Sequence, residues 1–563
     1  MIFSMATIYR EEHPRPNFIR PDWLSLNGCW DFEIADDSPR NFSSYLDGSP
    51  YKGTIEVPFA PQAPLSGIGR NENLKSVWYR RSFFLDEKTR SATVLLNFGA
   101  VDYRAEVYVN GKPAGTHIGG YTPFTIDITA LVHEGRNILV VNALDNDEDP
   151  DVPCGTQGKN GFAHCTGIWQ SVWLEFAAKT YLSAYRATPS LSQKAILAQG
   201  VIQCPVEGKL EVELFYNNIS LGKYKYEQKE RFFIRIPIPD ALKLWQIGEG
   251  GFYDVVLTIR DKNGIPLDTI LTYSAFREIA VKEKSILLNG KPLTIKQAVD
   301  CRYYPAGHYT APSEAAVKQD ILCALSLGFN SVRIRGTLSE PLYLYYADKL
   351  GLLLFEEYPS SDMPLNPKTA LLWTSEWTEI MERDFGHPSI CFWMPAGSYN
   401  GDNCDFVSDI CNRCIRADSS RPVIDGEIHY HTAVFDKRLD VVGTEKLLRA
   451  LYEPQNGPFS SPREAAKAAK KYPGAMSAEA LSCLPFFAHS LRLPAEAFES
   501  TKNFKRIFAA YVNAVLSAHA AGIGFSALID NPGDKTGFFT MERDFKFERG
   551  CEASVRKFFA QIN

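Results

Sequence analysis

A multidomain chain, β-rich in its first half and mixed α/β in its second, is predicted by three observations. The chain has 563 residues, more than one hydrophobic core usually serves, so roughly two to four domains are expected. Up to about residue 275 it runs in short apolar stretches of period two, broken by turn residues. From about 276 the period changes, and helical stretches alternate with short apolar strands.

Residues 1–178 read as an all-β sandwich. The runs "ATVLLNFGAV", "YRAEVYVNGKPAG", "RNILVVNALD" and "QSVWLEF" alternate as half-buried strands do, and Asn110-Gly111 between two of them is a hairpin signal. Residues 179–275 continue in strands, "KLEVELFYNN", "ERFFIRIPIP" and "FYDVVLTIRD", over the length of one immunoglobulin-like sandwich. Residues 276–563 hold helical stretches such as "SEAAVKQDILCALSLG", "EPLYLYYADKLG" and "KNFKRIFAAYVNAVLSAHAAG". Strand candidates between them end near Asp300, Ile334, Glu357, Ala396, Asp425, Gly443, Ala478 and Asp530, which fits a (β/α)₈ TIM barrel.

Bulk composition narrows the function. Hydrophobic residues make up 45% and charged residues 22%, with a net charge of -6. That is the balance of an ordinary globular protein, with no basic face for nucleic acid and no apolar span that would cross a membrane. The start "MIFSMATIYREEHPRP" lacks a basic segment followed by an apolar one, so a cytoplasmic location is expected. The cysteines lie mostly in apolar runs such as "ILCALSLGF" and read as reduced thiols. Cys404, Cys411 and Cys414 cluster in "NCDFVSDICNRCIRAD" without a histidine to complete a zinc ligand set, so no metal and no cofactor are expected.

Several long motifs in one order resemble glycoside hydrolase family 2, the family of β-galactosidases, β-glucuronidases and β-mannosidases. In the first region these are "RPDWLSLNGCWDF", "VWYRRSF", "NFGAVDYRAEVYVNG", "HIGGYTPFTIDIT" and "GIWQSVWLE". In the last they are "ILLNGKPLTIKQAVD", "LGFNSVRIRG", "YYADKLGLLLFEEYP" and "HPSICFW". The resemblance implies a sugar-binding jelly-roll sandwich, an immunoglobulin-like sandwich and a TIM barrel, with a β-glycoside or oligosaccharide as ligand and a possible homo-oligomer.

The resemblance also implies a mechanism that this sequence does not match. Retaining glycosidases set two carboxyl groups about 5 Å apart, one an acid and base, the other a nucleophile. The family's acid ends strand four, in a pattern like His-Pro-Ser-Ile-x-x-Trp-x-x-x-Asn-Glu. Here His387, Pro388, Ser389, Ile390 and Trp393 match, but the Asn position is Gly397 and the Glu position is Ser398. A serine hydroxyl is too weak an acid to protonate a leaving glycosidic oxygen. The nucleophile ends strand seven, in a pattern like Pro-x-x-x-Ser-Glu-x-Gly. In "PGAMSAEALSCLP" Pro473 and Ser477 match, while the Glu position is Ala478. Glu479 is adjacent, but neighbouring strand residues face opposite ways, so it substitutes only through a bulge or a register shift. Strand eight, "GFSALIDNPGDKTGFFT", keeps Asp530 and Gly537 but carries Ala527 and Pro532 where the resemblance implies Gln and Glu.

Other candidates for a sugar pocket are Trp393 as a platform, and Asp300, Arg333, Arg335, Glu357, Asp425, His429 and Asp530 as polar contacts. Each has a structural alternative. Trp393 could be a core aromatic, and Asp300 could cap a loop. Glu356 or Glu357 could form an ion pair with Arg333 or Arg335, one of the two acids facing inward. Asp425, Glu427, His429 and His431 could make a hydrogen-bonded loop. Trp373 and Trp377, four apart on one helix face, fit packing better than a sugar clamp. Three functions remain open: a catalytically degenerate member that binds a glycan or partner at the barrel mouth, an active β-glycosidase using displaced carboxylates such as Glu479, and an assembly scaffold with a relic pocket.

Overall fold

Alternation of apolar and polar residues builds two stacked pairs of antiparallel sheets before any long helix appears. The computed structural model describes residues 9–36, 40–90, 92–146, 149–238, 242–282, 285–360, 363–397, 399–400, 404–424, 487–493, 495–517, 522–548 and 550–561. In the first pair, Trp23–Ser25, Val172–Ala177, Thr93–Phe98 and Phe124–Asp127 form one sheet. Gly53–Val57, Gly28–Ile34, Ser76–Leu85, Gly135–Leu144, Arg104–Val109 and Lys112–Ile118 form the other. Val94, Leu96 and Phe98 meet Leu139, Val141 and Ala143 between the sheets, as period-two strands require. Asn110 and Gly111 make the hairpin turn with φ of 50° and 75°, the left-handed pair that suits Asn-Gly.

The second pair has Tyr181–Ser190, Ala195–Gln203 and Arg231–Pro237 in one sheet, and Ile219–Glu227, Gly208–Tyr216, Tyr253–Asp261 and Pro266–Ser274 in the other. Its own core includes Ile196, Leu210, Val212, Leu257 and Ile270.

A parallel sheet follows. In chain order its strands are β1 (Ile295–Asp300), β2 (Ser331–Ile334), β3 (Leu353–Glu357), β4 (Ile390–Met394), β5 (Phe487–Arg492) and β6 (Gly522–Ser526). They are hydrogen-bonded in the order β4-β3-β2-β1-β6-β5, all parallel. Helices α1 (Glu314–Leu327), α2 (Pro341–Leu350), α3 (Pro367–Asp384), α4 (Cys404–Ala417), α5 (Thr501–Ser517) and α6 (Cys551–Ala560) connect or flank them. Helix starts and stops follow local chemistry. Ser313 caps α1 by accepting from the Ala316 amide, Asn366 and Thr369 form a capping box before α3, and Gly328 and Gly351 end α1 and α2 in the left-handed conformation.

β1, β2 and β3 end at the expected Asp300, Ile334 and Glu357, while β4 ends two residues before Ala396. Val423 makes an isolated parallel bridge to Trp393, close to the strand expected to end at Asp425. The strand ends at Asp425, Gly443 and Ala478 lie outside the described residues. β5 is a departure from the expectation: it sits beside β6, between the strand candidates expected to end near Ala478 and Asp530, where no strand candidate was named. Its six residues "FAHSLR" carry only a weak strand signature.

Candidate functional site

Parallel pairing decides which side chains share a face at the strand tips. Asp300, Ile334, Glu356 and Trp393 are register partners in one row, and Val299, Arg333, Phe355 and Phe392 in the next. Ile334 and Trp393 pack into the core shared with the helices. Phe355 and Phe392 pack on the opposite face, stacked with ring centroids 4.5 Å apart. Glu357, two residues beyond Phe355, continues that inner face.

There it meets Arg333, whose Nε donates to Glu357 Oε2 at 2.5 Å with both side chains almost wholly buried. Gly397 backs onto the same carboxylate: a Cβ at this position would lie 2.2 Å from Glu357 Oε1. Residue 397 is thus a glycine because the Glu357 side chain occupies the space beside it. An asparagine there would require that carboxylate to leave.

On the helix-facing row two residues take the structural alternative named for each. Trp393, expected as a sugar platform, is fully buried. Its indole Nε1 donates to Asp418 Oδ2 at 2.9 Å, and its ring packs edge-on against Trp377 with centroids 5.9 Å apart. The cause is register: Trp393 pairs with Glu356, the outward member of the two acids. Asp300, expected among the sugar contacts, is also buried, and its Oδ1 caps the following turn by accepting from the Arg302 amide at 3.1 Å. Burial, with Asp320 nearby, pushes its carboxyl up to about 6. Glu356 accepts from the Ser339 amide and hydroxyl, and burial next to Asp384 pushes it up to about 8.

Other predicted residues fall at the rim. Arg335 follows β2, its amide bound to the Asp300 carbonyl at 2.9 Å. Asp530, after β6, accepts from Lys546 Nζ at 2.6 Å and from the Gly537 amide at 2.9 Å. Ser398, Asp425, Glu427, His429, His431, Ala478 and Glu479 lie outside the described residues. Trp373 and Trp377 are buried; their indoles donate to the Pro395 carbonyl and to Cys414 Sγ.

Two features escaped sequence reasoning. The first is a loop of the first sandwich that reaches the tips of β1 and β2. The Thr156 amide donates to the Gly336 carbonyl at 3.0 Å, and Tyr309 Oη donates to the Ala163 carbonyl at 2.9 Å. Gly336, with φ of 70°, has no room for a side chain because a Cβ would lie 2.2 Å from Thr156 Cγ2. The glycine-rich stretch "CGTQGKNGFAHCTG" was the available signal. The second is the role of His387 ahead of β4. Its Nδ1 lies 2.6 Å from Asp348 Oδ2, which also accepts from Tyr273 Oη at 2.6 Å. The start of β4 is thereby tied to α2 and to the second sandwich.

Chemically, the described tips offer a buried cation–carboxylate pair on the inner face, a polar rim and an arriving loop. Among the described residues no cluster of His, Cys, Asp and Glu is arranged to hold a metal ion, and no helix is long and apolar enough to cross a membrane.

Residues 24–176 match the sugar binding domain of the glycosyl hydrolases family 2. A Formosa agariphila protein that carries a beta-glucuronidase name is 29% identical over 367 residues, 61% of this chain and 44% of that protein. A beta-galactosidase of Thermoanaerobacter pseudethanolicus is 26% identical over 431 residues, 73% of this chain and 56% of that one. The chain spans about half the length of the curated relatives it matches. Among solved structures, the β-glucuronidase from Ruminococcus gnavus in complex with D-glucuronic acid superposes with a TM-score of 0.76 at 19% identity. That superposition covers 98% of this chain and 100% of the other. At that identity the likeness is one of fold: a multidomain, mostly β architecture. Motifs, domain match and relatives together identify the chain as a relative of the glycosyl hydrolases of family 2, with that family's sugar binding domain at residues 24–176.

Proposed function

We propose that this chain is a family 2-like carbohydrate-active protein that binds a β-glycoside or oligosaccharide at the mouth of a TIM barrel and no longer performs double displacement. In this reading residues 1–178 form a jelly-roll sandwich, 179–275 an immunoglobulin-like sandwich and 276–563 the barrel. Ser398 stands at the acid position and Ala478 at the nucleophile position. Loss of the acid alone forfeits about 10²–10⁴-fold in rate, and loss of the nucleophile closes the covalent route.

The observation that carries the reading is the Arg333–Glu357 pair seated against Gly397. The position that in the family's pattern holds an amide beside the acid is here given up to a buried ion pair. Glu357 is engaged as a counterion and is not presented as a substitute acid. The polar rim around Arg335 and Asp530, with the loop carrying Thr156, supplies hydrogen-bonding groups for sugar hydroxyls.

The test is thermal shift of the full chain against glucuronic acid, galactose, mannose, glucose and their β-linked oligosaccharides. A ligand that binds only the native state raises its melting temperature. A saturable rise with at least one sugar, without release of product, supports the reading. Silence across the panel would leave the chain as a scaffold, and product release would make it an active glycosidase.

A further inference from the structure

Away from the strand tips, a cavity of about 510 Å³ opens where the N-terminal segment, the second sandwich and helices α1 and α2 meet. One wall is aromatic. Phe252, Tyr273 and Tyr345 form a triangle with ring centroids 4.7, 5.7 and 6.2 Å apart. The rest of the lining includes three carboxylates, Glu12, Asp254 and Glu314.

The three acids are not equivalent. Glu12 is bound by Arg10, and Glu314 accepts from the Tyr346 hydroxyl. Asp254 is half-buried and has neither a hydrogen-bonding nor an ion-pairing partner among the described residues, and that burial raises its carboxyl above the ordinary range. The cation that acts on it is Lys349, whose ammonium is turned over the Tyr345 ring, 5.4 Å from the centroid. The imidazole of His13 also lines the cavity and adds no positive charge. Burial lowers it to about 4, and its Nδ1 accepts from the Arg15 amide.

A partly desolvated carboxylate beside aromatic rings that line the same cavity is complementary to a compact organic cation. The charge meets the acid, and the attached carbon frame meets the rings. We propose that this cavity is a second ligand site, separate from the strand tips, that takes a protonated amine with Asp254 as its counterion and Phe252 and Tyr345 as its walls. The amine can be carried by a hexosamine ring or by an alkyl chain. Tyr273, in the same aromatic wall, also donates to Asp348, the residue that holds His387 ahead of β4.

Isothermal titration of the full chain with glucosamine, 1,4-diaminobutane, N-acetylglucosamine and glucose tests this. The expected result is saturable binding of at least one of the two amines, with no heat from the two neutral sugars. Asp254→Asn should weaken that binding about tenfold or more, the loss expected for a charge-assisted contact. Phe252→Leu, which keeps bulk but removes the ring face, should weaken it as well while leaving the melting temperature near that of the parent. Tighter glucosamine binding assigns an amino sugar, and tighter diaminobutane binding an alkyl amine. Amine binding unchanged by Asp254→Asn, equal binding of the neutral sugars, or no saturable binding of either amine would overturn the proposal. Failure at this site leaves the sugar panel for the strand tips untouched, so the two readings fail separately.

Discussion

The carboxylate of Glu357 stands where a side chain on residue 397 would have to begin: a Cβ at Gly397 would lie 2.2 Å from Oε1. The carboxylate cannot easily swing aside, because Arg333 holds its other oxygen. Gly397→Ala should therefore break the ion pair or displace β4, at a cost of about 1–3 kcal/mol. In a Glu357→Ala background the same change should cost far less. Denaturant titrations of the single and double variants check this, and additive costs would show that residue 397 and Glu357 do not compete for space.

The Arg333–Glu357 pair itself should behave as a buried unit. Removing one partner strands a charge away from water, and Arg333→Met or Glu357→Gln should each cost about 3–5 kcal/mol. Replacing both with apolar residues should recover much of that loss. A double-mutant cycle on unfolding free energy reads the coupling; a coupling near zero would mean that the pair is solvated.

Trp393 should affect stability and not ligand binding. Trp393→Phe keeps most of the ring volume but leaves Asp418 short of one donor. The expected loss is about 1–3 kcal/mol, measured by thermal unfolding, with sugar titrations unchanged in the folded variant. A variant that keeps its melting temperature but loses a sugar-induced shift would return Trp393 to the pocket.

These cases show what the sequence could and could not disclose. Period-two alternation was legible in strands such as Arg231–Pro237, where buried and exposed residues alternate, and it fades in Thr93–Phe98 and Val172–Ala177, which are buried on both faces. The ends of β1 and β3 were legible because each apolar run stops at an acidic residue, and β2 ends at Ile334, just before Arg335. The facing of those residues was not. A tip holding Glu356 and Glu357 offers both faces, and only the register across β3 and β4 shows that Trp393 goes with Glu356, on the helix side. β5 was missed because "FAHSLR" mixes polar and small residues within six positions. The loop carrying Thr156 was missed because a contact between two domains leaves no period in either. Motif resemblance placed residues at strand tips, and could not supply the side to which they turn.

The junction between the first sandwich and α3 should respond to pH. Glu376 accepts from the Tyr121 amide at 3.3 Å and from Tyr358 Oη at 2.9 Å, and burial pushes its carboxyl from 4.5 up to about 7. The native state therefore keeps this proton to higher pH than the unfolded chain does. The stability that the group contributes is complete below about 4.5 and is lost as pH rises through about 7. Glu376→Gln stays neutral, so its melting temperature relative to the parent should rise between pH 5 and pH 8. An offset equal at both pH values would mean that Glu376 is ionised in the native state throughout.

The chain is proposed to keep the fold of a retaining glycosidase without its pair of acids. The most direct measurement is product release from a panel of aryl β-glycosides (glucuronide, galactoside, mannoside and glucoside) by the full chain, alongside Glu479→Gln. No turnover above the uncatalysed rate is expected for either protein. Turnover by the parent chain that disappears in Glu479→Gln would contradict it.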